Sequence, residues 1–371
     1  MYIYSIIAFI ISLSVTVIGM PRLLHICKSR GLYDVPNSRK VHHNNIPRLG
    51  GTFFAPAMVL GVSVSFLIMY TCSDNSLTFL PSTFIIAGGM FLIYLIGILD
   101  DLFGIKAPIK LLIQFISALF MPLCDIYINN LGGLFGIYEL PLYVGYPLTV
   151  IVVIVIINAI NLIDGIDGLA SSLTLIAFTA YTFLFMDAGL ASYSIMTAGL
   201  AGSIIAFIYF NIFGKVENNT KTFMGDTGSL ILGYAMAFFS IKYSTSGTNA
   251  TASADVLTAI TLLIVPTFDS IRVALMRLVH GVYIFHPDKT HIHHKFLAAG
   301  FSMHRSLILI IALQLAFIII NTTAYNAGIG ITYIFAIDVA VYLLTIFFID
   351  RMVSAKQHNA YEGHLHSNSS L

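Results

Sequence analysis

Successive apolar windows of roughly 20 residues follow one another along the chain, and a helix of that length covers the hydrocarbon core of a bilayer. They lie near residues 2–20, 50–71, 83–99, 109–127, 145–162, 169–185, 190–213, 229–244, 256–275, 306–323 and 327–349. The windows are continuous rather than alternating, so helices are expected and barrel strands are not. Only 9% of residues are charged and 58% are hydrophobic. A soluble domain carries about 25% charge, so that class is excluded. The expected fold class is all-α: a polytopic integral membrane protein with about 11 transmembrane helices. Residues 1–350 are expected to form one domain and 351–371 a polar, disordered tail.

Charge placement predicts the orientation. The first window has no basic residue before it and Arg22, Lys28 and Arg30 after it. This is the reverse of a cleavable signal peptide, so the segment reads as a retained helix with its N-terminus outside. All but one (Lys242) of the 18 Lys and Arg residues, and all 12 histidines, then fall on the cytoplasmic side, as does the C-terminus. The outer connections carry no nucleophile or ligand cluster, so chemistry is expected inside. A net charge of +1, with no basic tract interleaved with aromatics, gives no reason to expect nucleic acid. Cys27, Cys72 and Cys124 are far apart and suggest neither a disulfide framework nor a zinc site.

The inner segments hold the polar groups that need explaining. Asp100 and Asp101 end the third window, and two adjacent carboxylates at a membrane boundary require a metal, a cation or a raised pKa unless they are simply solvated. Lys110, in the first turn of the next helix, opposes the helix dipole and suits an anion such as phosphate. Asn158, Asn161 and Asp164 are three apart and form a polar row on one helix face, followed by Gly165, Asp167 and Gly168. That pattern reads as a metal-diphosphate or nucleotide face, or as a capping arrangement with solvated aspartates. Asp226, between Gly225 and Gly228, reads as a helix N-cap or as a carboxylate meeting phosphate through Mg²⁺.

Two loops complete the set. One contains His286, Asp288, Lys289, His291, His293, His294 and Lys295, without the H-E-x-x-H or cysteines of a zinc site. It suits hydrogen bonding to sugar hydroxyls and phosphate oxygens, or is a plain basic loop. The other mixes Asp34, Arg39, Lys40, His42 and Arg48 with turn formers. Asp269 and Arg272 are expected to form a structural pair.

Taken together, these motifs resemble the polyprenyl-phosphate N-acetylhexosamine-1-phosphate transferases. The resemblance runs through D-x-P-x-x-R-K-x-H (Asp34 to His42), P-R-L-G-G (Pro47 to Gly51), Asp100-Asp101, N-x-x-N-x-x-D-G-x-D-G (Asn158 to Gly168), F-M-G-D-T-G-S (Phe223 to Ser229) and H-I-H-H (His291 to His294). The form H-P-D-K-x-H-I-H-H resembles the branch that loads UDP-N-acetylglucosamine. The resemblance implies a Mg²⁺-dependent reaction, with Mn²⁺ as a substitute, of undecaprenyl phosphate with a UDP-sugar in the bacterial inner membrane. It places Asp226 and Asn161 at the metal, Lys110 on phosphate, and Asp100 and Asp101 at the lipid phosphate. Asp164 joins this catalytic set. Gly165 and Asp167 would lie near the uracil, and His291, His293 and His294 over the sugar and diphosphate. Asp34, Arg39, Lys40, His42 and Asn158 are assigned to substrate binding. Leu102-Phe-Gly104 follows the acidic pair, so a three-aspartate version of that motif is not available.

Three alternatives stay open at this stage: another UDP-N-acetylhexosamine donor, a non-catalytic transporter, and assembly as a homodimer. A transporter would place polar groups at mid-membrane depth and on both sides, whereas here they cluster on one side.

Overall fold

The computed structural model describes residues 2–34, 46–72, 81–248, 250–282 and 289–368; the side chains of Asp34, 81–84 and 359–368 lie outside the description. Arg39, Lys40, His42, His286 and Asp288 are therefore also outside it. The helices in chain order are α1 (Tyr2–Arg30), α2 (Phe54–Cys72), α3 (Pro81–Phe103), α4 (Ala107–Leu119), α5 (Leu142–Ile163), α6 (Leu169–Asp187), α7 (Ala191–Ile208), α8 (Gly225–Ser244), α9 (Ala252–Val279), α10 (Ile292–Ala299), α11 (Met303–Asn326) and α12 (Ile331–Asn368). Two short antiparallel pairs accompany them. β1 (Tyr33–Asp34) pairs with β2 (Ile46–Pro47), and β3 (Asn130–Leu134) pairs with β4 (Ile137–Glu139) in the connection before α5.

The chain is an all-α polytopic membrane protein. Among the described residues, ten helical segments are long and apolar enough to cross a bilayer. The remaining expected window, 229–244, lies in α8, whose Gly, Ser and Thr residues and Lys242 dilute its apolarity. That dilution is tolerated because every residue of α8 from Thr227 to Ile241 is buried. Protein rather than lipid surrounds this helix, with α3, α5 and α9 packed against it.

Small residues allow the close approaches that hold a bundle together where lipid removes most of the hydrophobic drive. A Cβ on Gly97 of α3 would meet Thr227 Cα of α8 at 2.5 Å, and one on Gly233 of α8 would meet Ile157 Cα of α5 at 2.7 Å. Hydroxyl pairs join α1 to α7: Ser5 with Ser194 at 3.0 Å and Thr16 with Ser203 at 2.9 Å. In α9, Pro266 interrupts the helical ladder. The Gln314 amide from α11 fills the break, accepting from Val265 N at 3.3 Å and donating to the Thr261 carbonyl at 2.8 Å.

One expectation is corrected at the C-terminus. Residues 351–368 are not a disordered tail, because α12 continues as one helix of 38 residues to Asn368. Its polar stretch contains Met, Ala, Lys, Gln and Glu, which favour helix, and no proline. Asp350, immediately before this stretch, forms an ion pair with Lys295 of α10.

Candidate active site

The C-terminal end of α3, the N-terminal ends of α4 and α8, the C-terminal ends of α5 and α7, and helix α10 converge at one end of the bundle. They enclose a cavity of about 570 Å³ lined by Arg48, Asp101, Asn161, Asp164, Gly165, Asp167, Asn211, Gly225, Asp226, Ser229 and His294, among others.

Local sequence explains how these groups meet. Gly225 adopts φ +74°, and a Cβ there would lie 2.7 Å from Asp101 Oδ2, so glycine is required for the chain to turn into α8 beside that carboxylate. Asp101 then accepts from the backbone amides of Asp226 and Thr227 at 2.9 Å each and from Thr227 Oγ1 at 2.6 Å. Asp226 is thus not the cap of α8. A carboxylate from α3 satisfies the free amides, leaving the Asp226 side chain for other partners.

Asp226 Oδ1 accepts from Asn161 Nδ2 at 2.6 Å, and the same amide nitrogen reaches Ser229 Oγ at 2.8 Å. On the other side, Lys110 Nζ lies 2.7 Å from Asp100 Oδ2 and 3.9 Å from Asp226 Oδ2. Asp100 also accepts from Ile105 N at 2.6 Å, which fixes the turn between α3 and α4. Neither Asp100 nor Lys110 lies in the cavity wall; they flank Asp226 from behind.

The polar row of α5 divides. Asn161 and Asp164 face the cavity, but Asn158, one turn deeper, donates to buried Gln114 at 2.7 Å and to the Ile154 carbonyl at 2.8 Å. Its position is that of a brace between α5 and α4, not of a cavity residue. Asp164 receives no hydrogen bond from the described residues. Burial and the charges of Asp167, Asp226 and Asp101 push its pKa up to about 8. Asp167 is compensated by Lys221 at 2.6 Å and by Asn211 Nδ2 at 3.3 Å.

The histidine helix packs over this wall. His294 lines the cavity, while His291 and His293 are buried behind it. A Cβ on Gly165 would clash with His293 Nε2, so the bare glycine lets α10 approach the Asp164–Gly165 turn. Burial, with the neighbouring His294 and His291, pushes the His293 pKa down to about 3. The Asp269–Arg272 pair is present at 2.7 Å, and it is more than a local pair, because His291 Nδ1 lies 2.7 Å from the other oxygen of Asp269.

Two residues at the site, Asn211 and Lys221, lie outside the sequence motifs. Asn211 sits in the π-helical turn Tyr209–Phe213 that ends α7, accepting from Gly168 N at 2.7 Å and donating to the Thr222 carbonyl at 2.8 Å. Its signal is an asparagine at the end of an apolar span, and π turns recur at functional sites. Lys221 could be read only as one inner basic residue among many.

Among the described residues no three His, Cys, Asp or Glu side chains come together as a metal cluster. That suits Mg²⁺, which commonly takes one or two carboxylates and completes its shell with water and substrate phosphate. Asp226 and Asp164 in one wall, the latter without a hydrogen-bond donor, are an appropriate oxygen pair. Asn161 turns its nitrogen to Asp226 and so orients that carboxylate here; as a ligand it would present its oxygen.

The fold and site together define a polytopic helical membrane protein with a carboxylate-rich cavity at its helix termini. Residues 83–244, which contribute Asp100, Lys110, Asn161, Asp164 and Asp226, match the family described as Glycosyl transferase family 4, and the chain is a member of that family. Over 321 residues it is 31% identical to the undecaprenyl-phosphate alpha-N-acetylglucosaminyl 1-phosphate transferase of Salmonella typhi, covering 86% of this chain and 81% of the relative. It is 30% identical over 309 residues to the probable undecaprenyl-phosphate N-acetylglucosaminyl 1-phosphate transferase of Bacillus subtilis, covering 83% and 81%. The Escherichia coli O157:H7 enzyme of the Salmonella name is 29% identical over 288 residues, 77% and 74% of the two chains.

Proposed function

We propose that this chain transfers N-acetylglucosamine 1-phosphate from UDP-N-acetylglucosamine to undecaprenyl phosphate, as the first membrane step of a cell-surface polysaccharide. The names of its relatives support the reaction, and the observation that carries it is the Lys110 ammonium set between Asp100 and Asp226 beside the cavity. The site lies at the cytoplasmic face of the bacterial inner membrane, a reading supported by the side on which all basic residues but Lys242 fall.

An oxygen of the lipid phosphate attacks the phosphorus that bears the sugar. The bond from that phosphorus to the bridging oxygen breaks, and UMP leaves with the bridging oxygen. Bringing one anion to another in a low-dielectric site is the main obstacle, so positioning and charge compensation supply most of the catalysis. Lys110 neutralises and places phosphate, and Asp100 orients Lys110. Asp101 sets the N-terminus of α8 and therefore the direction of Asp226. Asn161, itself placed by a bond to Ser229 Oγ, holds the Asp226 carboxylate. Bound Mg²⁺, held by Asp226 and Asp164, would neutralise the diphosphate and the developing charge on the leaving group.

The test uses purified protein with undecaprenyl phosphate, Mg²⁺ and a panel of UDP-sugars, reading UMP release. UDP-N-acetylglucosamine should be the preferred donor. Release from a different N-acetylhexosamine donor alone would reassign the sugar, and no release from any donor would remove the transferase reading.

A further inference from the structure

Resting on that reading, we infer that Asp269 is a positioning residue which holds His291 protonated at Nδ1 and so dedicates Nε2 to the sugar nucleotide. Asp269 is wholly buried in α9, one turn beyond Pro266. Its Oδ2 lies 2.7 Å from His291 Nδ1, while Oδ1 accepts from Arg272 Nη2 at 2.7 Å, Tyr342 OH at 3.0 Å and Ile292 N at 3.1 Å. With its lone pairs already receiving these donors, the carboxylate faces Nδ1 as an acceptor, so the proton belongs on that ring nitrogen.

The backbone is fixed as firmly as the ring. Arg272 also donates to the Thr290 carbonyl at 2.7 Å, so the residues on both sides of His291 are tied to α9. Tyr342 brings α12 to the same carboxylate. Three elements thus converge on one side chain.

The opposite ring nitrogen, His291 Nε2, is buried without a partner among the described residues, and so are both ring nitrogens of His293. The two rings are parallel, with centroids 6.1 Å apart and an interplanar angle of 8°, and His293 abuts Gly165 of the cavity wall. Buried polar atoms are nearly always hydrogen-bonded, so a row of orphaned nitrogens beside a cavity marks groups whose partner arrives with the ligand. With its proton held on Nδ1, the ring when neutral offers a lone pair at Nε2. That complements a sugar hydroxyl or amide N–H rather than a phosphate oxygen.

The test combines nuclear magnetic resonance on full-length protein carrying isotope-labelled histidine in lipid nanodiscs with UMP-release kinetics. The His291 signal, identified by its loss in His291→Asn, should show a proton on Nδ1; a ring protonated on Nε2 alone overturns the inference whatever the turnover. Asp269→Asn keeps the volume but can offer an N–H to Nδ1. It should reverse the tautomer and lower kcat at least about tenfold, with KM for the lipid phosphate unchanged. Reversal with wild-type kcat would overturn the link to the sugar nucleotide, and if the variant does not fold, the wild-type spectrum still decides. Wild-type protein that shows the Nδ1 proton but releases no UMP would instead overturn the proposed reaction.

Discussion

Asp101 and Thr227 are joined twice: one carboxylate oxygen of Asp101 accepts both the backbone amide of Thr227 at 2.9 Å and its hydroxyl at 2.6 Å. The second oxygen takes the amide of Asp226. The end of α3 therefore acts as the N-terminal cap of α8, and the two adjacent aspartates have divided roles. Asp101→Ala should lower stability by about 1–3 kcal/mol, because it leaves buried amides without an acceptor. Denaturation in micelles measures this, and an unchanged transition would show that the cap is dispensable.

Lys110 is expected to serve phosphate rather than Asp100. Lys110→Met should reduce UMP release by orders of magnitude although the aliphatic volume is kept, because a thioether cannot supply the point charge. The double variant Asp100→Asn with Lys110→Met should not recover activity. A structural ion pair would behave in the opposite way, since replacing both partners of a buried pair is often tolerated. An active, folded double variant would sink the assignment.

Asp226→Asn should abolish turnover and leave the melting transition close to wild type, because the α8 cap comes from Asp101 and does not need the Asp226 charge. Chelation of divalent cations should likewise stop UMP release, and Mg²⁺ or Mn²⁺ should restore it. Full activity in the presence of chelator would contradict the metal reading.

Asp164 gives a pH signature in the metal-free protein. Its pKa rises from the usual value near 4 in the unfolded chain to about 8 in the folded protein, so the folded state binds more protons between those values. Stability from this group is therefore present at low pH and is lost as pH rises through about 8. Asp164→Asn should melt higher than wild type at pH 8.5 but close to it at pH 5, and Mg²⁺ should raise the wild-type transition most at the higher pH. Equal differences at both pH values would remove the proposed burial of charge.

Gly165→Ala tests the approach of the histidine helix. The added methyl would occupy the position of His293 Nε2, so α10 must shift from the cavity wall. Turnover should fall at least about tenfold while the fold persists, since placement errors of an ångström are costly in catalysis. Wild-type kinetics in this variant would show that α10 need not approach so closely.

The sequence by itself determined that this is a helical membrane protein and which segments bring polar groups to the cavity. A span length and a one-sided charge distribution are local properties, set by the thickness of the bilayer and legible without knowing which helix packs on which. The tertiary structure decided how polar groups are shared. Asp100 and Asp101 are neighbours in sequence yet turn to Lys110 and to α8, and Asn161 serves the cavity while Asn158, three residues away, braces Gln114. Tyr342 and Asp269 meet across 73 residues of separation, a contact that no spacing rule encodes. Within a bundle, a buried polar side chain takes whichever partner the neighbouring helix presents. Helix length and apolarity were therefore readable along the chain, whereas the division of labour among carboxylates and histidines appeared only with packing.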